Sequence, residues 1–401
     1  MNRRQLIGAA TAAAVASALP ERRLFAASYD LVIRGGRVID PKQKLDRGLD
    51  VGIVNGKVAA LKRKIPASAA AEAIDADGLL VVPGLIDVHV HARDAELPPS
   101  EFLASGVTTM VDAGSRGADN VAQLVEVAER SPNRMRLLLN IGRLGNNPGG
   151  HAEFLDDLEQ ADVDKALRAV AEHRRYIVGI KARLSRGIAA ERDLDVLRRA
   201  RQVGDAASRP IMVHVGNTAH TLPEILALLR AGDIVTHMYA PAPNGILDAS
   251  GTVLPEVRQA RQRGVRFDFG NGLNEHWAWD VAERAMAQGF APDTVSSDLN
   301  LPGRTAQVFD LPNVLSKFLV LGMPLERVIA CATQNAAATF AELRELGTLR
   351  EGATADVTLL EAVSGAVEFV DNYRGARTGE VRLTTRGALL AGNRAGAPPR
   401  S

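Results

Sequence analysis

Metal chemistry in this chain begins at Leu85-Ile86-Asp87-Val88-His89-Val90-His91, an apolar run that ends in two histidines one residue apart. Side chains alternate faces along a β-strand, so His89 and His91 point the same way and can reach one metal ion together. Alone, such a pair is equally a polar strand end with solvated imidazoles. What separates the two readings is whether other strands end in matching ligands. Apolar runs followed by helix-length amphipathic stretches occur at 85–91, 107–112, 136–141, 177–181, 211–215, 234–238, 265–269 and 294–298. Lys181, His214, His237 and Asp298 lie at or near the ends of four of them.

Eight β-then-α units over roughly 250 residues predict a (β/α)8 TIM barrel, an α/β fold whose active site lies at the C-terminal ends of the strands. A doubly wound open sheet is the alternative, but no glycine fingerprint opens the first helix. In the barrel His89, His91, Lys181, His214, His237 and Asp298 converge. A lysine ending an apolar strand is costly as an unpaired charge. Lys181 can react with carbon dioxide to give a carbamate, an anionic ligand able to bridge two cations; an unmodified Lys181 paired with Asp298 is the competing arrangement. Two divalent ions would acidify a bridging water, and Asp298 would take its proton and deliver it to the leaving group. The expected reaction is hydrolysis at an acyl or related carbon, with Asp298 and Lys181 as the catalytic pair.

Further residues are placed to meet a substrate. Arg93 follows His91 by two, and Arg183 follows Lys181 by two, so each can present a guanidinium to a carboxylate from the same strand face. Tyr239, just after His237, is a candidate for the oxyanion. Asn147 lies in the loop Gly145-Asn146-Asn147-Pro148-Gly149-Gly150-His151 after the third strand, which is expected to cover the site. Asp112 and Asp268 end strands 2 and 7 and can orient ligands. Cys331, the single cysteine, rules out an intrachain disulfide and reads as a packed thiol.

The remainder of the chain divides around the barrel. Residues 1–27 read as a twin-arginine signal segment, Asn2-Arg3-Arg4 before an alanine-rich apolar run, with Ala16-Ser17-Ala18 a cleavage candidate. They predict export to the periplasm without a membrane anchor. Residues 28–82 and 347–401 are β-rich and predict one small β-sandwich built from both termini, flanking a barrel at 83–346 whose last helix spans about 324–346. The formal charge of +1, or −2 once 1–27 are removed, argues against a general grip on nucleic acid. A small-molecule partner is expected, and a homo-oligomer stays open.

With these residues assembled, the chain resembles the amidohydrolase superfamily, in its binuclear, dihydroorotase-like branch. The resemblance runs through Pro83-Gly84-Leu85-Ile86-Asp87-Val88-His89-Val90-His91 and the Gly347-Thr348 to Ala355-Asp356-Val357 return. It implies two divalent ions, usually zinc: His89, His91 and Asp298 on one, His214 and His237 on the other, and carbamylated Lys181 between them. Gly179-Ile180-Lys181-Ala182-Arg183, Val213-His214-Val215-Gly216-Asn217-Thr218, Asn244-Gly245-Ile246-Leu247-Asp248 and Ser296-Ser297-Asp298-Leu299 further resemble the amidohydrolase/deacetylase subgroup. That implies removal of an acyl, foremost acetyl, group from a small carboxylate-bearing ester or amide. A cyclic-amide hydrolase and a non-catalytic metal-binding barrel acting as an interaction protein are the alternatives. The chain departs from the subgroup at Gly270-Asn271-Gly272, where a Gly-His-Gly is expected, and at Asn300, where a histidine is more usual.

Overall fold

The computed structural model describes residues 28–92, 96–146 and 154–395. Segment 1–27, Arg93, Asn147 and His151 lie outside the described residues, as does the tail from 396.

Seven short strands come first: β1 (Tyr29–Arg34), β2 (Arg37–Asp40), β3 (Leu45–Gly48), β4 (Asp50–Val54), β5 (Lys57–Lys62), β6 (Ala70–Asp75) and β7 (Leu80–Pro83). The Asn55-Gly56 step joins β4 to β5 with both residues at positive φ, +50° and +71°, the chemistry of a tight hairpin. Seven further strands alternate with helices: β8 (Leu85–Val90), β9 (Val107–Gly117), β10 (Arg134–Asn140), β11 (Ile177–Arg183), β12 (Ile211–His214), β13 (Ile234–Thr236) and β14 (Arg266–Phe267). The chain closes with β15 (Val357–Val370), β16 (Ala376–Leu390) and β17 (Asn393–Ala395).

Strands from both ends of the chain share one sheet, in the order β17-β16-β15-β7-β2-β3, while β5-β4-β1-β6 form a second. Leu31, Ile33, Val51 and Val81 pack in one cluster with Leu349, Val357 and Leu389. Asp40 fastens the same union with hydrogen bonds. Fully buried at the end of β2, it accepts from Lys42 N and Gln43 N, and across about three hundred residues of sequence from Thr348 Oγ1 (2.8 Å) and Leu349 N (2.6 Å).

The middle strands form one parallel sheet in the order β14-β13-β12-β11-β10-β9-β8. Every residue of β8 is buried, as a strand covered on both faces requires. The helix Asp193–Ala207 shows the covering: Val196, Leu197, Ala200 and Val203 recur at helical spacing and are buried. The eighth apolar run is not a regular strand. It makes isolated parallel bridges, Asp268↔Thr294 and Val90↔Leu299, to the strands at the two ends of the sheet. The architecture is therefore TIM-barrel-like, with its last stave reduced to two bridges. Asp298 interrupts that stave at φ +46°.

The single helix expected over 324–346 is instead broken into Leu325–Cys331 and Gln334–Thr339. Ala332 gives its carbonyl to Ile86 N at 2.8 Å, and the Thr333 hydroxyl donates back to Ile329 O at 2.7 Å. These bonds divert the groups a continuous helix would use and tie the break to the start of β8. Among the described residues no helix is long and apolar enough to cross a membrane.

The Asp40 knot carries the first prediction. Asp40→Ala strands buried donors at Thr348 and Leu349, so denaturant unfolding should show a loss of about 2–4 kcal/mol. A loss below about 0.5 kcal/mol would show that the knot contributes little.

Candidate active site

Asp298, itself buried, lies at the centre of a ring of imidazoles. Its Oδ1 is 3.3 Å from His89 Nε2 and 3.2 Å from His91 Nε2; its Oδ2 is 3.9 Å from His237 Nε2 and 3.3 Å from His276 Nδ1. Lys181 Nζ stands 3.1 Å from His89 Nε2, and His214 packs edge-on to His237 with ring centroids 4.3 Å apart. The six residues expected from the strand ends are thus brought together. Gly114 makes room for the lysine: at φ +85°, it lies where a Cβ would come within 2.7 Å of Lys181 Cβ. His237 and Asp298 themselves have left-handed backbones, φ +63° and +46°, conformations that non-glycine residues hold only where the surroundings fix them.

Hydroxyl groups orient the histidine pair at the end of β8. The Thr236 hydroxyl donates to Asp268 Oδ2 (2.8 Å), so the 2.9 Å contact between Thr236 Oγ1 and His89 Nδ1 leaves the imidazole as donor. The Ser115 hydroxyl donates to Asp112 Oδ2 (2.7 Å), and His91 Nδ1 likewise donates to Ser115 Oγ (2.9 Å). His237 Nδ1 donates to Gly270 O at 2.7 Å. Each of these three rings therefore keeps its proton on Nδ1 and turns the lone pair of Nε2 inward. Asp112 and Asp268 act through intervening hydroxyls rather than by direct contact.

The electrostatics agree with this arrangement. Burial holds His89, His214 and His237 well below the ordinary histidine range, reinforced by Lys181 at His89 and by neighbouring imidazoles at His214 and His237. Burial works to raise the Asp298 carboxyl, but His89, His276 and His91 outweigh it and keep it well below the usual carboxylate range. Neutral imidazoles around an ionised carboxylate are a donor set for a divalent cation. Two groups, His89/His237/Asp298 and His214/His237/His276, have ligand atoms close enough to hold one. His237 Nε2 is buried and has no hydrogen-bond partner, which fits the same reading.

A cavity of about 550 Å³ opens over this cluster, lined by His91, Arg183, His214, His276, Asp298 and Tyr373 among others. Arg183 therefore reaches the cavity, as expected. Tyr239 does not. Its ring is fully buried edge-on to Phe269, and its hydroxyl donates to Phe290 O at 3.0 Å. The left-handed turn at His237 redirects the residues that follow it. Burial also raises the Tyr239 hydroxyl above its ordinary value. Cys331 is buried and its thiol is pushed up to about 12 by that burial, as befits an inert packed thiol.

Sequence reasoning missed Ser115, Thr236, His276 and Lys317. Lys317 is buried and donates to Asn271 Oδ1 (2.7 Å), Gln307 O (2.9 Å) and Val370 O (3.2 Å). Burial pushes its ammonium down to about 7, with Asp371 pulling the other way. Asn271, at the position where the resemblance leads one to expect a histidine, is turned toward Lys317, and the loop supplies its imidazole five residues later from His276. The polar contacts of Ser115 and Thr236 follow no spacing rule; only the hydroxyl-rich strand ends hint at them.

Known proteins show the same architecture. The sequence profile described as the amidohydrolase family matches residues 80–373. A protein named deacetylase from Enterococcus faecalis is 32% identical over 372 residues, 91% of this chain and 98% of that protein. A crystal structure of an adenine deaminase is similar at a TM-score of 0.83 and 30% identity, covering 92% of this chain and all of that one. A crystal structure of a dihydroorotase reaches a TM-score of 0.82 at 28% identity, over 92% and 99% of the two chains.

The hydroxyl relay gives a second prediction. Thr236→Val keeps the shape of the side chain and removes the acceptor that orients His89, so zinc affinity measured by chelator competition should fall by about 10–100-fold. Unchanged affinity would remove the relay from the account.

Proposed function

The chain belongs to the amidohydrolase family, and on that premise we propose that it removes an acyl group, acetyl foremost, from a small carboxylate-bearing ester or amide. At the coarser level the chain is a metal-dependent hydrolase acting on C–N bonds. The observation that carries the finer reading is the convergence of His89, His91, Lys181, His214, His237 and Asp298 beneath a cavity that also presents Arg183.

In this reading His89, His91 and Asp298 would hold one divalent ion, foremost zinc, and His214 and His237 a second, with Lys181, as a carbamate, as the shared anionic ligand. When bound, such ions supply acidified water and polarise the acyl carbonyl. The chain's own residues do the rest. Arg183 pairs with the substrate carboxylate and fixes the acyl carbon over the cluster. As the oxygen of water bonds to that carbon, Asp298 takes the water's proton and passes it to the departing nitrogen or oxygen as its bond to the acyl carbon breaks. Thr236 and Ser115 keep the histidine pair in one tautomer throughout. Arg93 and Asn147, outside the described residues, are proposed as further substrate-binding residues.

The deacetylase name of the Enterococcus faecalis relative supports this reading. The likeness to a dihydroorotase supports a second, hydrolysis of a cyclic amide, for which Arg183 would serve equally. We also take the two terminal sheets as a small sandwich, 28–82 with 347–401, beside a barrel at 83–346. Segment 1–27 is proposed as a twin-arginine signal that exports the folded protein; Arg3→Lys with Arg4→Lys should retain it in the cytoplasm.

Protein purified with zinc and bicarbonate should turn over N-acetyl amino acids or O-acetyl hydroxy acids in a metal-dependent way. Turnover of cyclic ureides alone would favour the second reading, and none on any panel with two ions bound would contradict both. Lys181→Ala should lose the second ion and most activity, with partial recovery on adding short-chain carboxylic acids. Unchanged metal content in that variant would contradict the carbamate.

A further inference from the structure

His276 belongs to none of the strand ends and comes from the loop after β14, yet it reaches the buried cluster. Its ring stacks on His237 with centroids 4.0 Å apart and an interplanar angle of 25°, and stands edge-on to His214 at 5.0 Å. Its Nδ1 is buried without a hydrogen-bond partner, as is His237 Nε2. Both orphaned nitrogens face the same carboxylate oxygen, Asp298 Oδ2, at 3.3 Å and 3.9 Å. Two buried imidazole nitrogens without partners cost free energy unless something accepts their lone pairs. Their common target is a carboxylate that a cation would also satisfy.

The loop is built to deliver this ring. Asn274 and Glu275 both have left-handed backbones, φ +56° and +68°, and reverse the chain just before His276. Asn372 Oδ1 then accepts from the backbone N–H of both His276 and Trp277, at 3.0 Å and 3.1 Å, while Asn372 Nδ2 donates to Gly272 O and Gln307 Oε1. Trp277, the next residue, is fully buried. Gly272 is the last requirement: at φ +51° it lies where any Cβ would collide with both His276 Nδ1 and Asp298 Oδ2.

We infer that His276 is a fifth histidine of the metal centre, a ligand through Nδ1 to the ion held by His214 and His237. The inference rests on the two-ion reading proposed above, and the ligand atoms of His214, His237 and His276 lie close enough together to share one cation. A third imidazole raises the ion's retention. It also ties that ion to a wall of the substrate cavity, because Leu273, Asn274 and Glu275 of the same loop line it. Substrate contacts at the rim and occupancy of the second ion are thereby coupled through one short segment.

The test uses the full chain, wild type against His276→Ala and the bulkier His276→Gln, with zinc affinity measured by chelator competition and cobalt(II) absorption spectra as an independent readout. In both variants one ion should bind at least about tenfold more weakly, the other unchanged, with an altered ligand-field spectrum. Wild-type affinities and spectra in a variant with an unchanged melting temperature would overturn the assignment, as would loss of activity with metal binding intact, which makes His276 a substrate contact. The wild-type metal count reports separately on the two-ion reading: if only one ion binds, that reading fails, and His276 is still judged by whether its removal weakens that ion.

Discussion

A single ionised carboxylate, Asp298, sets the terms for everything around it. Four imidazole nitrogens from three different segments lie within 3.9 Å of its two oxygens, at the floor of the cavity. A buried anion is tolerable only if it is paired or hydrogen-bonded. Here the surrounding groups hold it ionised while burial disfavours the protonated forms of His89 and His237, and of His214 beside them. That combination is poor for a dry protein interior and well suited to divalent cations.

The fold meets this constraint by spreading the cluster over rigid elements. His89, Lys181 and His214 sit in parallel strands whose neighbours fix them laterally, and the hydroxyls of Thr236 and Ser115 set the tautomers of the β8 pair. Strain is confined to places where it does something: the left-handed backbones of His237 and Asp298 turn their side chains inward, and those of Asn274 and Glu275 return the loop. Among the described residues the sheets from the chain ends contribute no side chain to the cluster, but Asp356 accepts from Arg134 of β10, Gly84 N donates to its carbonyl, and Asp40 locks the two ends together. Asn372, in the turn after β15, reaches the site loop directly.

Most of the cluster was legible before any coordinates because strand ends carry a simple code. Apolar runs of five to seven residues announce buried parallel strands, and a polar residue at the end of one has few bland explanations; that logic found His89, His91, Lys181, His214, His237 and Asp298. It failed where the backbone leaves the strand geometry. Tyr239 looked like a neighbour of the site only if the extended conformation continued past His237, and the positive φ there sends its hydroxyl to Phe290 instead. His276 was invisible for the converse reason, since two left-handed residues in a row fold a distant loop position back to the centre. The eighth strand and the last helix were each read as continuous, whereas Asp298 and Thr333 interrupt them where the site and β8 need backbone groups.

The central claim is that this buried cluster is a two-ion centre organised about Asp298. Anomalous diffraction at the zinc absorption edge, on crystals of protein loaded with zinc and bicarbonate, addresses it directly. The account predicts two peaks about 3.5–4 Å apart, one against His89, His91 and Asp298 and the other against His214 and His237, with density for a carbamate on Lys181 between them. A single peak, or peaks away from Asp298 with an unmodified Lys181 filling the centre, would contradict it.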